Sequence, residues 1–242
     1  MSLSVVERPS PNSGARRWVK PDSQIEMLVV HYTGMATCED ALNRLCDPAA
    51  EVSAHYLVDQ DGTVYQLVSE GRRAWHAGTA YWRGISDVNS ASIGVELVNP
   101  GHEYGYCAFP EVQTDAALHL CLDIVARHAI PSWGIVGHSD IAPGRKTDPG
   151  ELFPWRSFAA SGVGAWPENA AQPSGGTIWD HLSAIGYARP GSAAHGGAIL
   201  DPLSGENDVI SAFQRRYRPD GITGTADAET LALAANVAAA LT

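Results

Sequence analysis

Met27-Leu28-Val29-Val30-His31-Tyr32 is a short apolar run, β-branched at its centre, that closes on a histidine and a tyrosine. A run of this length and composition predicts a buried strand, and a histidine at the end of such a strand faces a cleft. Ile93 to Val98 is another apolar run. Gly134 to Gly137 reads as a final short strand that delivers His138 into a long Pro- and Gly-rich loop, Ser139 to Pro154. Between these runs, Thr37 and Asp40 resemble a capping box opening a short helix through Cys46, and Ala54 to Val68 has the layout of a hairpin turning at Gln60-Asp61-Gly62. Thr114 is expected to cap a helix with Leu118, Cys121, Leu122 and Val125 at helical spacing, ending before Pro131. Strands interleaved with helices predict an α/β domain, a mixed central sheet flanked by helices, over residues 25–158.

Outside that domain the composition changes. Residues 1–24 read as an N-terminal extension. Residues 159–177 are rich in Ala, Gly, Ser and Pro without apolar periodicity, as a flexible linker is. Beyond them Ile178 to Tyr187, Asn207 to Tyr217 and Asp227 to Leu241 are three helical patterns, the middle one with Val209, Ile210, Phe213 and Tyr217 on one face. A small three-helix bundle over residues 178–242 is therefore expected.

The whole chain, 242 residues with 45% hydrophobic and 18% charged composition, has the material for a buried core and too few charges for a disordered chain. Its formal charge of −11 opposes the phosphate neutralisation on which nonspecific nucleic-acid binding depends, so nucleic acid is excluded as an expected partner. Met1 to Lys20 contains no apolar core of a signal peptide and no membrane span, which points to a cytoplasmic protein, or to a periplasmic or envelope protein if a leader has been removed. Cys38, Cys46, Cys107 and Cys121 show no CxxC spacing and read as reduced structural residues.

The stretch Gly137-His138-Ser139-Asp140-Ile141-Ala142-Pro143-Gly144-Arg145-Lys146-Thr147-Asp148-Pro149-Gly150 places a histidine, a lysine and an aspartate in one loop. Together with Val29-Val30-His31-Tyr32-Thr33, Ser53-Ala54-His55-Tyr56, Trp75-His76-Ala77-Gly78 and Gly94-Val95-Glu96-Leu97-Val98-Asn99, it resembles the zinc-dependent N-acetylmuramoyl-L-alanine amidases of the AmpD type. Peptidoglycan-recognition proteins and phage amidase-lysozymes belong to the same superfamily. The resemblance implies that His31, His138 and Asp148 hold one zinc ion, leaving a fourth position to a water whose pKa falls to about 7. It implies Glu96 as the group that orients this water and passes its proton to the leaving amine, and Lys146 as the oxyanion partner. His76, in a motif bordering the family's substrate groove, is the candidate for contacting the muropeptide. Tyr56 and Asn99 are further substrate-binding candidates, although a core tyrosine and a turn asparagine explain them equally well.

Val209 to Tyr217, with Asp220-Gly221-Ile222-Thr223-Gly224 and Asp227-Ala228-Glu229-Thr230, is similar to the peptidoglycan-binding three-helix module found beside wall hydrolases. A bundle that packs on the catalytic domain, with Asp227 as an N-cap, fits the same pattern. The expected activity is hydrolysis of the amide between the lactyl group of N-acetylmuramic acid and L-alanine, in peptidoglycan or muropeptides. A non-catalytic peptidoglycan-recognition module and a zinc peptidase are the alternatives.

Overall fold

The computed structural model describes residues 4–17, 24–167, 175–191 and 205–241. Its strands are β1 (Val5–Glu7), β2 (Ser13–Ala15), β3 (Met27–Tyr32), β4 (Tyr56–Val58), β5 (Val64–Gln66), β6 (Arg72–Ala74), β7 (Ser92–Leu97) and β8 (Ile135–Gly137). The helices are α1 (Cys38–Cys46), α2 (Val88–Ala91), α3 (Gly101–Tyr104), α4 (Glu111–His128), α5 (His138–Ile141), α6 (Trp155–Ala160), α7 (Ile178–Ile185), α8 (Glu206–Tyr217) and α9 (Ala228–Ala240).

Six strands form one sheet in the order β1-β5-β4-β7-β3-β8, parallel throughout except for the β4–β5 hairpin. This is the mixed α/β sheet that the interleaved runs predict. Alternation along β3 and β7 gives the sheet two faces. Leu28, Val30, Ile93, Val95 and Leu97 pack against Ala117, Leu120, Cys121 and Ile124 of α4. On the other face Met27, Val29 and Val136 share a core with Leu182 of α7, Val209 and Phe213 of α8 and Val237 of α9. The three C-terminal helices thus cover the sheet, and their apolar sides face it instead of only one another.

Several boundaries differ from the sequence reading. Parts of the expected N-terminal extension join the fold: β1 pairs with β5, β2 pairs with β6, and Arg16 is buried, donating to the carbonyls of Glu70, Ser90 and Ser92. Strands of three residues are too short to show alternation. Helix α4 starts at Glu111, because Pro110 has no N–H to lose at a helix start; Thr114 lies inside its first turns and donates to the Glu111 carbonyl at 2.9 Å. His138 opens the short helix α5 where a loop was expected. Of the expected linker, Val163 is buried and Trp166 packs on Tyr217 at 5.5 Å, while residues 168–174 lie outside the described residues. Thr37 and Asp227 are N-caps as expected, and all four thiols are free.

Candidate active site

The parallel register sets His31 beside Glu96, so both project from the same face at the carboxyl ends of β3 and β7. β8 ends next to them, with Gly137 paired to Val30, and the chain turns there into α5, bringing His138 against His31. The loop after α5 returns Asp148 to the same point and is tied to α5 by the Ser139 N–H, which donates to the Asp148 carbonyl at 2.8 Å. His31 Nδ1 and His138 Nδ1 are 2.9 Å apart, and each lies 3.0 Å from Asp148 Oδ2. All three residues are buried.

The surrounding hydrogen bonds decide where the ring protons are. Ser92 donates its hydroxyl proton to the Val88 carbonyl at 2.6 Å, so toward His76 Nε2, at 3.1 Å, it can only accept. His76 therefore carries its proton on Nε2, and its Nδ1 accepts from His31 Nε2 at 3.0 Å. That leaves His31 Nδ1 with a bare lone pair. His138 donates from Nε2 to the Ala77 carbonyl at 3.1 Å, and its Nδ1 is bare too. Two imidazole lone pairs and a carboxylate oxygen thus converge with no proton between them, which is repulsive unless a cation sits there. A proton is a poor candidate: burial pushes the His31 pKa down to about 4, with His138 adding to the effect and Asp148 opposing it. Burial works to raise the Asp148 pKa, yet the two histidines hold it well below the usual carboxylate range. Two nitrogens and one carboxylate oxygen about 3 Å apart suit an ion with bonds of about 2.0–2.1 Å, as zinc forms, with one position left open.

Trp75-His76-Ala77-Gly78, expected to border the substrate groove, also supports this cluster from behind. His76 and Ala77 stand behind the metal-type histidines, one fixing the tautomer of His31 and the other that of His138. Their own backbone N–H groups donate to Asn89 Oδ1 at 3.0 and 2.9 Å. Gly94 makes this possible, since a Cβ there would lie 2.5 Å from His76 Cγ. His76 does border the cleft described below, but its two ring nitrogens are already taken. Its pKa is well below the ordinary histidine value, through burial and then the neighbouring His31 and His55.

Glu96 is half-buried, and its Oε2 is buried without a hydrogen-bond partner. Burial raises its pKa well above the ordinary value, Asp148 adds to this, and Lys146 works against it. Glu96, Lys146, His138 and Asp148 all line a cleft of about 550 Å³, whose wall also carries Arg44 and Glu103.

Tyr56 and Asn99 are not at this cleft. Tyr56 pairs with Val95 in the sheet and so points to the α4 face, opposite His31; its hydroxyl donates to Glu70 Oε1 at 2.8 Å. Asn99 is buried and uses its amide within the chain, donating to the Cys107 carbonyl and accepting from the Gly101 N–H at 3.0 Å. Both are structural residues. His55 is structural as well, its Nδ1 accepting from the Gly94 N–H at 2.9 Å. The sequence reading missed Ser92, whose only signal is its place two residues before Gly94 and four before Glu96 on one face of β7.

Residues 21–151 match the family model described as N-acetylmuramoyl-L-alanine amidase. The chain is 35% identical to N-acetylmuramoyl-L-alanine amidase AmiD of Escherichia coli K12, over 95% of this chain and 88% of that protein. It is 34% identical to 1,6-anhydro-N-acetylmuramyl-L-alanine amidase AmpD of Enterobacter cloacae, over 63% of this chain and 87% of that one. Among solved structures, AmiD from E. coli in complex with anhydro-N-acetylmuramic acid-L-Ala-D-gamma-Glu-L-Lys superposes with a TM-score of 0.76 over 92% of each chain, at 35% identity. AmpDh3 from Pseudomonas aeruginosa gives 0.77 at 28% identity, over 91% of this chain and 94% of that one.

Proposed function

The chain belongs to the N-acetylmuramoyl-L-alanine amidase family, and from that premise we propose that His31, His138 and Asp148 hold one zinc ion at which the muramoyl–alanine amide is cut. The enzyme hydrolyses the bond between the lactyl carbonyl of N-acetylmuramic acid and the amine of L-alanine in cell-wall material. The observation that carries the zinc assignment is the convergence of three lone pairs with no proton among them. Zinc, when bound, polarises the scissile carbonyl and lowers the pKa of a water to about 7.

The chain's own residues do the rest. Glu96, on the strand beside His31, takes the proton of the attacking water and returns it to the alanine nitrogen as the C–N bond breaks. Burial, which raises its pKa, makes it a stronger proton acceptor than an exposed carboxylate. Lys146, across the same cleft, supplies positive charge to the oxygen that becomes negative when the carbonyl carbon is attacked. Anhydro-muropeptides are the substrates we assign, because the AmiD relative is solved with one; Arg44 and Glu103 on the wall suit the charged groups of a stem peptide. Wall binding is assigned to the C-terminal helices on their likeness to the peptidoglycan-binding module, which a sacculus pull-down of the full chain tests.

Mass spectrometry of digested anhydro-muropeptides tests the main proposal. L-alanyl peptides are released, a chelator stops the release, and zinc restores it at about one ion per chain. Full turnover by metal-free protein contradicts it.

A further inference from the structure

Asp140, two residues after His138, is 1% exposed, and its carboxylate is held by three donors. Gly137 N–H donates to Oδ2 at 2.8 Å, Arg216 Nη1 to the same oxygen at 2.9 Å, and the Tyr187 hydroxyl to Oδ1 at 2.6 Å. The first donor is at the end of β8, where the chain turns into the helix of His138. The other two come from the C-terminal helices: Arg216 is on α8 and Tyr187 follows α7. Both are buried and clamped in turn, Arg216 with its guanidinium 4.2 Å from the centre of the Trp155 ring and Tyr187 against Trp82 with ring centres 4.9 Å apart.

We propose that Arg216 and Tyr187 are positioning residues of the amidase site, which act through Asp140 on the turn that carries His138. The proposal rests on the assignment of His138 and Asp148 as metal ligands. A carboxylate bonded through both oxygens from two directions can neither rotate nor slide, so the Gly137 N–H it accepts is fixed in place. This turn touches both ligands. His138 is on it, and Ser139, its next residue, donates to the carbonyl of Asp148. Gly137 is also wedged against the residue after that ligand, since a Cβ there would meet Pro149 Cδ at 2.8 Å. A small displacement of the turn therefore moves two of the three donor atoms together. Burying the Asp140 charge requires a cation beside it, and Arg216 supplies one from the C-terminal unit.

Zinc affinity of the full-length protein, measured by competition with a chelator at fixed pH, tests this alongside kcat and KM on an anhydro-muropeptide. Tyr187→Phe, which removes only a hydroxyl, is expected to stay folded by near-ultraviolet circular dichroism and to bind zinc about ten-fold more weakly. Its kcat falls and its KM does not change. Arg216→Lys, which keeps a charge beside Asp140, retains more affinity than Arg216→Met. Val209→Ala, which thins the same interface without touching Asp140, lowers the melting temperature and leaves zinc affinity unchanged. Wild-type affinity in folded Tyr187→Phe and Arg216→Met overturns the proposal, as does an equal loss of affinity in Val209→Ala. Failure of the wild-type chain to take up zinc overturns the ligand assignment itself.

Discussion

An imidazole nitrogen offers a lone pair to a metal only when its proton is on the other nitrogen, and for His31 that choice is made two hydrogen bonds away, at Ser92. Removing His76 lets His31 change tautomer. His76→Ala is expected to lower zinc affinity by about 10- to 100-fold, read by chelator competition, while leaving the three ligands in place. Gly94→Ala does the same by displacement, because the new Cβ and the His76 ring cannot share the space; it also costs about 1–3 kcal/mol in a denaturant titration. Glu96→Gln behaves in the opposite way: zinc stays bound and kcat falls by about 10²- to 10⁴-fold. At this scale the sequence made the cluster of metal-type donors legible, since His31, His138 and Asp148 are in motifs of specific composition. It hid the supporting residues. Nothing in Trp75-His76-Ala77-Gly78 distinguishes a ring that touches substrate from one that touches a ligand's far nitrogen.

At the scale of the element, alternation decides which side chains can meet. Tyr56 sits on the α4 face, where Glu70 also receives Arg127 at 2.7 Å and His128 at 2.6 Å. Burial works to raise the Glu70 pKa, but those partners hold it down at about 2. Tyr56→Phe is therefore expected to leave kcat and KM unchanged and to cost about 1 kcal/mol of stability by urea unfolding. Sequence motifs placed Tyr56 next to His55 but could not say that adjacent residues on a strand face opposite ways around a sheet whose register was unknown. His55 gives a pH signature of its own. Burial, with the nearby Arg16, pushes its pKa down to about 3, against about 6.5 in an unfolded chain. Between these values the unfolded chain binds a proton that the native protein refuses. Its contribution to stability is complete above about pH 6.5 and is lost as the pH falls toward 3. Urea midpoints of metal-free protein, measured from pH 7 to pH 4, are expected to fall steadily. A flat profile contradicts the neutral, buried assignment. The strand runs and α1 were legible because apolar runs and a capping box are local signals; β1, β2 and the start of α4 depend on distant partners or on a proline and were not.

For the molecule as a whole, the division into a catalytic domain, a linker and a helical bundle describes the composition better than the packing. Helical spacing marked the apolar faces of α7, α8 and α9, and could not say what they cover. They cover the sheet: Phe213 and Leu182 are fully buried in the cluster that holds Met27 and Val29. Phe213→Ala is expected to cost about 3–5 kcal/mol of global stability in one cooperative transition. Truncation after residue 167 uncovers that sheet face and yields aggregating protein that binds a hydrophobic dye. Among the described residues no helix is long and apolar enough to cross a membrane. The shared core also bears on how the protein is made. Val237, which packs in the same cluster as Met27 and Val29, is synthesised about 200 residues after them. At about 5–20 residues per second, translation holds the central strand without its full cover for on the order of ten seconds or more. The nascent sheet is therefore a natural client for chaperones, and the turn that carries His138 gains its Arg216 contact only when α8 arrives.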